Sequence, residues 1–317
     1  MRKLLLTIIL SLMLSTLTAC QLDLPKVGVS TYPVAYLVNR IAKDKVSVVM
    51  LSEGPVMTRA TAIESFLTEI EQLDVFFQMG QLEPYVSAYI SDLSESRLQV
   101  IDLVGQAGVY AFKRYTVSFV GTQEVTLIEP YYEGEAFSAI DMYETDPYLW
   151  LDPITMTSMA STITKWLVAA YPEQQSFFET NFAHLEVELA NMDANYQALR
   201  GSQIAIASLN PSFGSWQKAY GIHVYPIVLS RFGVLPNSEQ LNAMIDRMRF
   251  DGVTHIVNDP LMSDDMRVLY DAIKTELGLD EVALHSLSFL TDDDLTAQKD
   301  YMTIMYENLN ALIDLTK

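Results

Sequence analysis

The stretch Asp146-Pro147-Tyr148-Leu149-Trp150-Leu151-Asp152-Pro153 holds two Asp-Pro pairs around a short apolar run. Each pair is a turn signal. A tyrosine on a turn beside a carboxylate suits a cleft better than a core. The stretch also divides the chain: strand and helix alternate before it, and a long helical stripe with a second alternation follows.

Upstream, Val27-Gly28-Val29-Ser30 reads as a strand. Tyr32-Pro33 turns into a helix with Val34, Leu37, Val38 and Ile41 at helical spacing. Val46 to Leu51 is a buried strand. Ala62 to Leu73 is a helix with Ile63, Phe66, Leu67, Ile70 and Leu73 on one face. Val75-Phe76-Phe77 is a strand, Met79 to Pro84 leads to a helix with Tyr85, Ala88 and Tyr89 on one face, and Val100 to Leu103 is a strand. Such alternation predicts a parallel sheet flanked by helices. From Gly105 to Asp146 the alternation stops. This excursion is rich in acids and tyrosines, has strand-like pieces at Arg114 to Val120 and Val125 to Ile128, and contains no histidine. Loops of this length are commonly functional or disordered.

Downstream, Thr155 to Ala170 is a helix. Phe178, Phe182, Leu185, Leu189, Met192, Tyr196 and Leu199 then recur at alternating steps of four and three. That is an apolar stripe of about six turns, stopped by Gly201. It reads as a rigid strut between two domains, with His184 beside the stripe at the surface. The second half repeats the alternation: strands at Ile204 to Leu209, His223 to Leu229, Thr254 to Asn258 and Val282 to Leu284; helices at Ser212 to Tyr220, after the Asn237-Ser238 cap, and at Ser263 to Leu277. Asp292-Asp293-Asp294 is an acidic helix start that needs no metal to explain it. A last helix runs from Leu295 to Leu315. His223 and His255 fall inside strands and read as core or edge packing. The fold class is therefore α/β: two lobes, each a parallel sheet flanked by helices, joined by one long rigid helix.

The first 19 residues differ from the rest. Arg2 and Lys3 precede the apolar run Leu4 to Leu14, and Leu17-Thr18-Ala19-Cys20 fits a bacterial lipobox. The run is short for a spanning helix and reads as a cleavable signal. Cys20, the only cysteine, is then a lipidation site that anchors the mature chain to a bacterial membrane from the extracytoplasmic side. One cysteine excludes a disulfide within the chain and a multi-thiolate metal site. Without the signal, 18 basic residues face 40 acidic ones, a formal charge of −22. That balance argues against nucleic acid as a partner and is compatible with attracting cations. No Ser-His-Asp order, phosphate loop or paired-acid constellation stands out, so the chain reads as no enzyme. Gly105-Gln106-Ala107-Gly108 lacks the strand-turn-helix context of a nucleotide loop.

The Asp146 to Pro153 stretch resembles the Asp-Pro-His-x-Trp-Leu-Asp-Pro signature of the substrate-binding proteins of zinc- and manganese-type ABC importers. Further matches follow in order: Gly80-x-x-x-Pro84, Phe213-Gly214 with Tyr220-Gly221-Ile222, Pro236-x-Ser238-x-x-Leu241, Ile256 with an acid before Pro260, and Asp300-Tyr301-x-x-x-Met305-x-x-Asn308-Leu309. They span nearly all of the mature chain. The resemblance implies ligand capture between two lobes and delivery to an importer permease. It divides the chain into a signal (1–19), an N-terminal lobe with its acidic loop at 105–146 (20–171), a linking helix (172–200) and a C-terminal lobe (201–317). Carried over one by one, the family's histidine positions hold Thr58, Tyr148 and Asn210. The carboxylate position after a second-lobe strand holds Asp259, and the last acidic ligand falls at or beside His285. Asp259 and His285 are the strong donors for a divalent metal, zinc or manganese, or else residues that merely end strands near a cleft. Thr58, Tyr148 and Asn210 offer neutral oxygens, which zinc does not prefer. Two further readings stay open. One is a degenerate accessory or interaction lipoprotein; the other is a binder of a small organic solute.

Overall fold

The computed structural model describes residues 24–54 and 56–317; the signal and Cys20 lie outside them. The first sheet uses β1 (Lys26–Val29), β2 (Ser47–Met50), β5 (Val75–Gln78) and β6 (Gln99–Asp102), all parallel, in the order β2-β1-β5-β6. A small antiparallel ladder of β3 (Ser52–Glu53) and β4 (Thr61–Ala62) hangs from it. Its helices are α1 (Tyr32–Ala42), α2 (Phe66–Ile70) and α3 (Ile90–Glu95).

The excursion begins with the hairpin β7 (Arg114–Val120) and β8 (Gln123–Glu129). Helices α4 (Pro153–Ala170) and α5 (Gln175–Tyr196) follow. The second sheet uses β9 (Ala205–Ser208), β10 (His223–Pro226), β11 (His255–Asn258) and β12 (Asp280–Ala283), again parallel, in the order β10-β9-β11-β12. Its helices are α6 (Ser215–Tyr220), α7 (Ser238–Phe250), α8 (Asp264–Leu277), α9 (Asp292–Thr296) and α10 (Tyr301–Asp314). The two sheets share one winding order. In each, the connections change side beside the first strand, which opens a crevice at the strands' carboxyl ends.

Helix α5 lies between the sheets because its stripe is apolar on one side. Phe178, Leu185, Leu189, Met192 and Tyr196 are buried, each worth about 2 kcal/mol against exposure. Toward the first lobe, Asn181 Nδ2 donates to the Ile41 carbonyl at 2.9 Å and Arg40 pairs with Glu188 at 2.7 Å. Toward the second, the Tyr196 hydroxyl donates to the Met305 carbonyl at 2.7 Å and its ring packs on Trp216 and Tyr220. One apolar core therefore runs through both lobes, and a smaller cluster around Phe66, Phe76 and Leu93 covers the other face of the first sheet.

The excursion is ordered and docks on the second lobe, although it precedes the strut in sequence. Arg114 reaches Asp251 at 3.2 Å, Gln217 donates to the Tyr131 hydroxyl at 2.8 Å, and Gln240 donates to the Ala136 carbonyl at 2.8 Å. Tyr131, Tyr132, Phe137 and Tyr143 are buried there.

Several expected elements differ. The helix expected over Ala62 to Leu73 is only Phe66–Ile70, because Thr61 and Ala62 pair in the β3–β4 ladder and Ile63 N–H donates to the Leu51 carbonyl at 3.1 Å. Leu67 is 49% exposed, off the expected face. The segment after Pro84 buries Tyr85 and Val86 and exposes Ala88. The Val46 to Leu51 strand is an edge strand, with its middle residues only half-buried. The last helix is two helices, α9 and α10, broken at Gln298, whose φ is +54°, and restarted by Asp300, whose carboxylate accepts from Thr303 N–H at 2.9 Å.

Candidate functional site

The two Asp-Pro pairs do different work. Asp152 caps α4: its Oδ1 accepts from Ile154 N–H at 2.9 Å, and Pro153 takes the first helical position, where no N–H is needed. Asp146 makes the turn itself, accepting from Tyr148 N–H at 3.1 Å. A Cβ on Gly214 would run into Asp146 Oδ2, so the Phe-Gly pair of the second lobe is glycine because this carboxyl presses on it. Burial pushes the Asp146 carboxyl up to about 7, against the lowering effect of the Tyr148 N–H.

Between these turns the chain passes through the contact of the two lobes. The Trp150 indole N–H donates to the Ser286 carbonyl at 2.8 Å, Trp216 Nε1 donates to the Leu151 carbonyl at 2.8 Å, and the Tyr301 hydroxyl donates to the Trp150 carbonyl at 2.6 Å. Tyr148 is only 1% exposed, and its ring centroid lies 5.1 Å from that of Trp150. It is thus more deeply buried than a cleft-lining residue was expected to be. Burial first, then the neighbouring Tyr143 and Asp259, hold its phenol well above its ordinary value, so it is a neutral oxygen.

The second lobe contributes residues from the carboxyl ends of neighbouring strands. Asn210 follows β9, Asp259 follows β11, and His285 and Ser286 follow β12. Asp259 Oδ1 accepts from Leu261 N–H at 3.1 Å and from Ser286 N–H at 3.5 Å. Two loops here carry a non-glycine residue in the left-handed region, Phe213 at φ +67° and Leu287 at φ +64°. Such conformations persist where the surroundings impose them.

From the first lobe, Thr58 sits in a turn at Met57–Arg59. Gly233, on the rim beyond β10, has φ +66°, and a Cβ there would stand 2.8 Å from both Thr58 Oγ1 and Arg59 Nε. Arg59 crosses between the lobes: Nε and Nη2 donate to the Gly233 carbonyl at 3.0 and 2.6 Å, and Nη1 donates to both Asp265 carboxylate oxygens at 2.9 Å.

Four buried side-chain oxygens, Thr58 Oγ1, Asn210 Oδ1, Asp259 Oδ2 and Ser286 Oγ, have no hydrogen-bond partner among the described residues. Thr58, Tyr148, Asn210 and Asp259, singled out from sequence, are all buried at this junction of the lobes. His285 is different. Its Nδ1 accepts from Leu287 N–H at 2.8 Å, so Nε2 carries the proton and donates to Asp294 Oδ2 at 3.1 Å. Asn308 grips its backbone from both sides, at 2.8 and 2.9 Å. Neither ring nitrogen presents a free lone pair, so the side chain that can contribute from this loop is its neighbour Ser286. Sequence reasoning also missed Arg59, whose only signal was its place beside Thr58.

Among the described residues no group of three or more His, Cys, Asp or Glu side chains is arranged to hold a metal ion. Asp259 is the one charged donor with an unpartnered oxygen here, and zinc prefers imidazole and thiolate. The donor set does not fit a tight zinc site. Among the described residues no helix is long and apolar enough to cross a membrane.

Comparison with known proteins gives a consistent result. A family model described as ZnuA, zinc-uptake complex component A, periplasmic, matches residues 27–315. The zinc-binding lipoprotein AdcA of Streptococcus pneumoniae strain R6 is 23% identical over 285 residues, covering 89% of this chain and 54% of AdcA. The high-affinity zinc uptake system protein ZnuA of Bacillus subtilis is 25% identical over 175 residues, 53% of each chain. The chain spans about half the length of these curated relatives. Among solved structures, one of a ZnuA superposes with a TM-score of 0.70 at 18% identity, covering 93% of this chain and 100% of the other. FpvC of Pseudomonas aeruginosa in complex with Mn2+ superposes at 0.69 and 17% identity, covering 92% and 98%. These likenesses establish the shared fold.

Proposed function

Because the chain belongs to the ZnuA family of periplasmic zinc-uptake components, we propose that it is the substrate-binding component of a metal-type ABC importer, taking its ligand between the two lobes. The observation that carries this reading is the set of unpartnered buried oxygens at the carboxyl ends of the second-lobe strands, completed by Thr58 and Tyr148 from the first half of the chain. Such a component is a transport protein, not an enzyme. Its partner is the importer's permease, and its place is outside the cytoplasm, held to a membrane by lipid on Cys20. Residues 20–171 and 201–317 act as the two lobes and 172–200 as the link that limits their closure.

The names of the relatives point to zinc or manganese as the family's ligands. In this chain Asp259 is the charged donor for a divalent metal, and His285 would join it only after breaking its bonds to Leu287 and Asp294. Zinc binding is therefore weak, because one carboxylate and neutral oxygens do not replace imidazoles. A second reading, a small organic solute, is favoured by the hydrogen-bonding capacity of Thr58, Tyr148 and Asn210. A degenerate accessory lipoprotein is the alternative if no ligand is taken.

Calorimetry with zinc tests the site assignment. Thr58→His, Tyr148→His and Asn210→His together should raise zinc affinity at least a hundredfold, each new imidazole adding a donor that zinc prefers. Folded triple variant that gains nothing, or tight zinc binding by the wild type that survives Asp259→Ala, would place the ligand elsewhere.

A further inference from the structure

On the side of the strut the lobes are firmly joined. Trp150, Trp216 and Tyr301 are fully buried, and each donates a hydrogen bond across the contact. Parting the lobes as rigid bodies would break these bonds and uncover large aromatic side chains of the core. A smaller opening suffices for a ligand, and the rim beyond β10 supplies one.

The rim, residues 230–236, is tied down at two places. At its start, Arg231 N–H donates to the Asp141 carbonyl at 2.9 Å and the Tyr143 hydroxyl donates to the Arg231 carbonyl at 3.2 Å. At its tip, Gly233 lies directly on Thr58, since a Cβ there would stand 2.8 Å from Thr58 Oγ1. Thr58 is buried under it, and its hydroxyl has no partner among the described residues. The side chains flanking the tip do not anchor it: Phe232 and Val234 are 47% and 65% exposed. Arg59 holds it instead, with Nε and Nη2 both donating to the Gly233 carbonyl.

Arg59 is itself caught by the second lobe. Its Nη1 donates to both Asp265 carboxylate oxygens at 2.9 Å and to Ser263 Oγ at 3.2 Å. The catch is preformed, because Asp265 Oδ1 also accepts from Ser263 Oγ and from Met266 N–H in the first turn of α8. Hydrogen bonds between charged groups are stronger than neutral ones, and the pair is exposed enough for salt to reach it. Val56, Met57 and Ala60 are buried on either side of Thr58 and Arg59, so the turn that carries the guanidinium is fixed. The rim has somewhere to go. A cavity of about 420 Å³ lies beside it, lined by Ile140, Leu229, Phe232, Val234 and Met244, an apolar space that can receive Phe232.

We propose that the rim tip at Gly233 is a lid over Thr58 and that Arg59 is its latch: the cleft opens when the guanidinium releases Gly233 and Asp265, while the lobes stay joined on the strut side. The inference rests on the substrate-binding reading above and specifies how that site is gated. Arg59 is a positioning residue that acts through Gly233.

Thiol labelling tests it on the full mature chain without ligand, carrying Cys20→Ser so that an introduced cysteine is the sole thiol. Thr58→Cys reports the lid. Ser288→Cys reports parting of the lobes, since Ser288 is buried and its carbonyl accepts from Tyr32 N–H of the first lobe at 3.0 Å. Arg59→Met keeps the aliphatic stem and removes every donor. It should speed labelling at Thr58→Cys at least tenfold and leave labelling at Ser288→Cys unchanged. Asp265→Asn should speed it severalfold, and carries the test if Arg59→Met does not fold. Raising salt from about 0.1 to about 1 M, which shortens the screening length from about 10 to about 3 Å, should speed Thr58→Cys labelling when Arg59 and Asp265 are both present and have little effect in either variant. Labelling at Thr58→Cys that neither variant changes would overturn the latch. Equal acceleration at Thr58→Cys and Ser288→Cys would overturn it too, because the lobes would then be parting or unfolding together. Neither reporter needs a ligand, so a failed latch leaves capture between the lobes in place, and a chain that takes no ligand leaves the latch standing.

Discussion

Single residues decide what this fold can hold. Tyr148 and Asn210 were singled out from sequence by the motifs beside them and Thr58 by its distance from Asp74, and all three are buried. The engagement of His285 was not legible, since it depends on Asp294 and Leu287 reaching its two nitrogens in space. Nor was Asp146 separable from Asp152: both precede proline, yet one caps a helix start and the other is pressed against Gly214. That difference is measurable. Asp146 titrates near 7 in the folded chain and near 3.8 when unfolded, because burial disfavours its charge. Between those values the native state binds more protons than the unfolded one, so stability falls as pH rises through the window. Asp146→Asn removes this contribution. Its urea midpoint, relative to wild type, should therefore be distinctly more favourable at pH 8 than at pH 5. An offset that is the same at both pH values would show that Asp146 does not carry the buried charge.

At the scale of elements, periodicity found the strut and both sheets, and it failed where another bond competes. Ile63 and Phe66 keep helical spacing, but the β3–β4 ladder claims the residues before Ser65. The final helix reads as continuous because no glycine or proline falls between Asp292 and Asp314 to mark the break; Asp300, capping Thr303, was the available signal. The strut was legible because its stripe runs for many turns. Leu189 lies fully buried within it. Leu189→Pro removes a hydrogen bond inside the helix and clashes with the preceding turn, costing about 3 kcal/mol or more. With roughly 2–4 °C per kcal/mol for a chain of this size class, the midpoint should drop by about 6–12 °C. Because α5 carries contacts to both lobes, scanning calorimetry should show one cooperative transition moved down. Two separated transitions, with one at the wild-type temperature, would mean that the strut does not couple the lobes.

At the scale of the whole molecule, the lobed α/β plan was legible because each half repeats the alternation; the docking of the excursion was not, since its partners are distant in sequence. Attachment to a membrane belongs to this scale too. Cys20→Ala removes the only thiol available for lipid, so the variant should appear in the soluble fraction or keep its leader, read by fractionation and intact mass. A variant with its leader removed that still sediments with membranes as the wild type does would rule the lipid anchor out. The docked excursion also sets an order of exposure along the chain. Arg114 and its partner Asp251 are 137 positions apart, and Tyr131 waits 86 positions for Gln217. In a chain that emerges amino-terminus first, the hairpin and its tyrosines precede the residues that cover them. During that interval the growing chain presents Tyr131, Tyr132, Phe137 and Tyr143 without the surface that finally covers them. The excursion and the second lobe therefore finish their packing together, whatever order their residues arrive in.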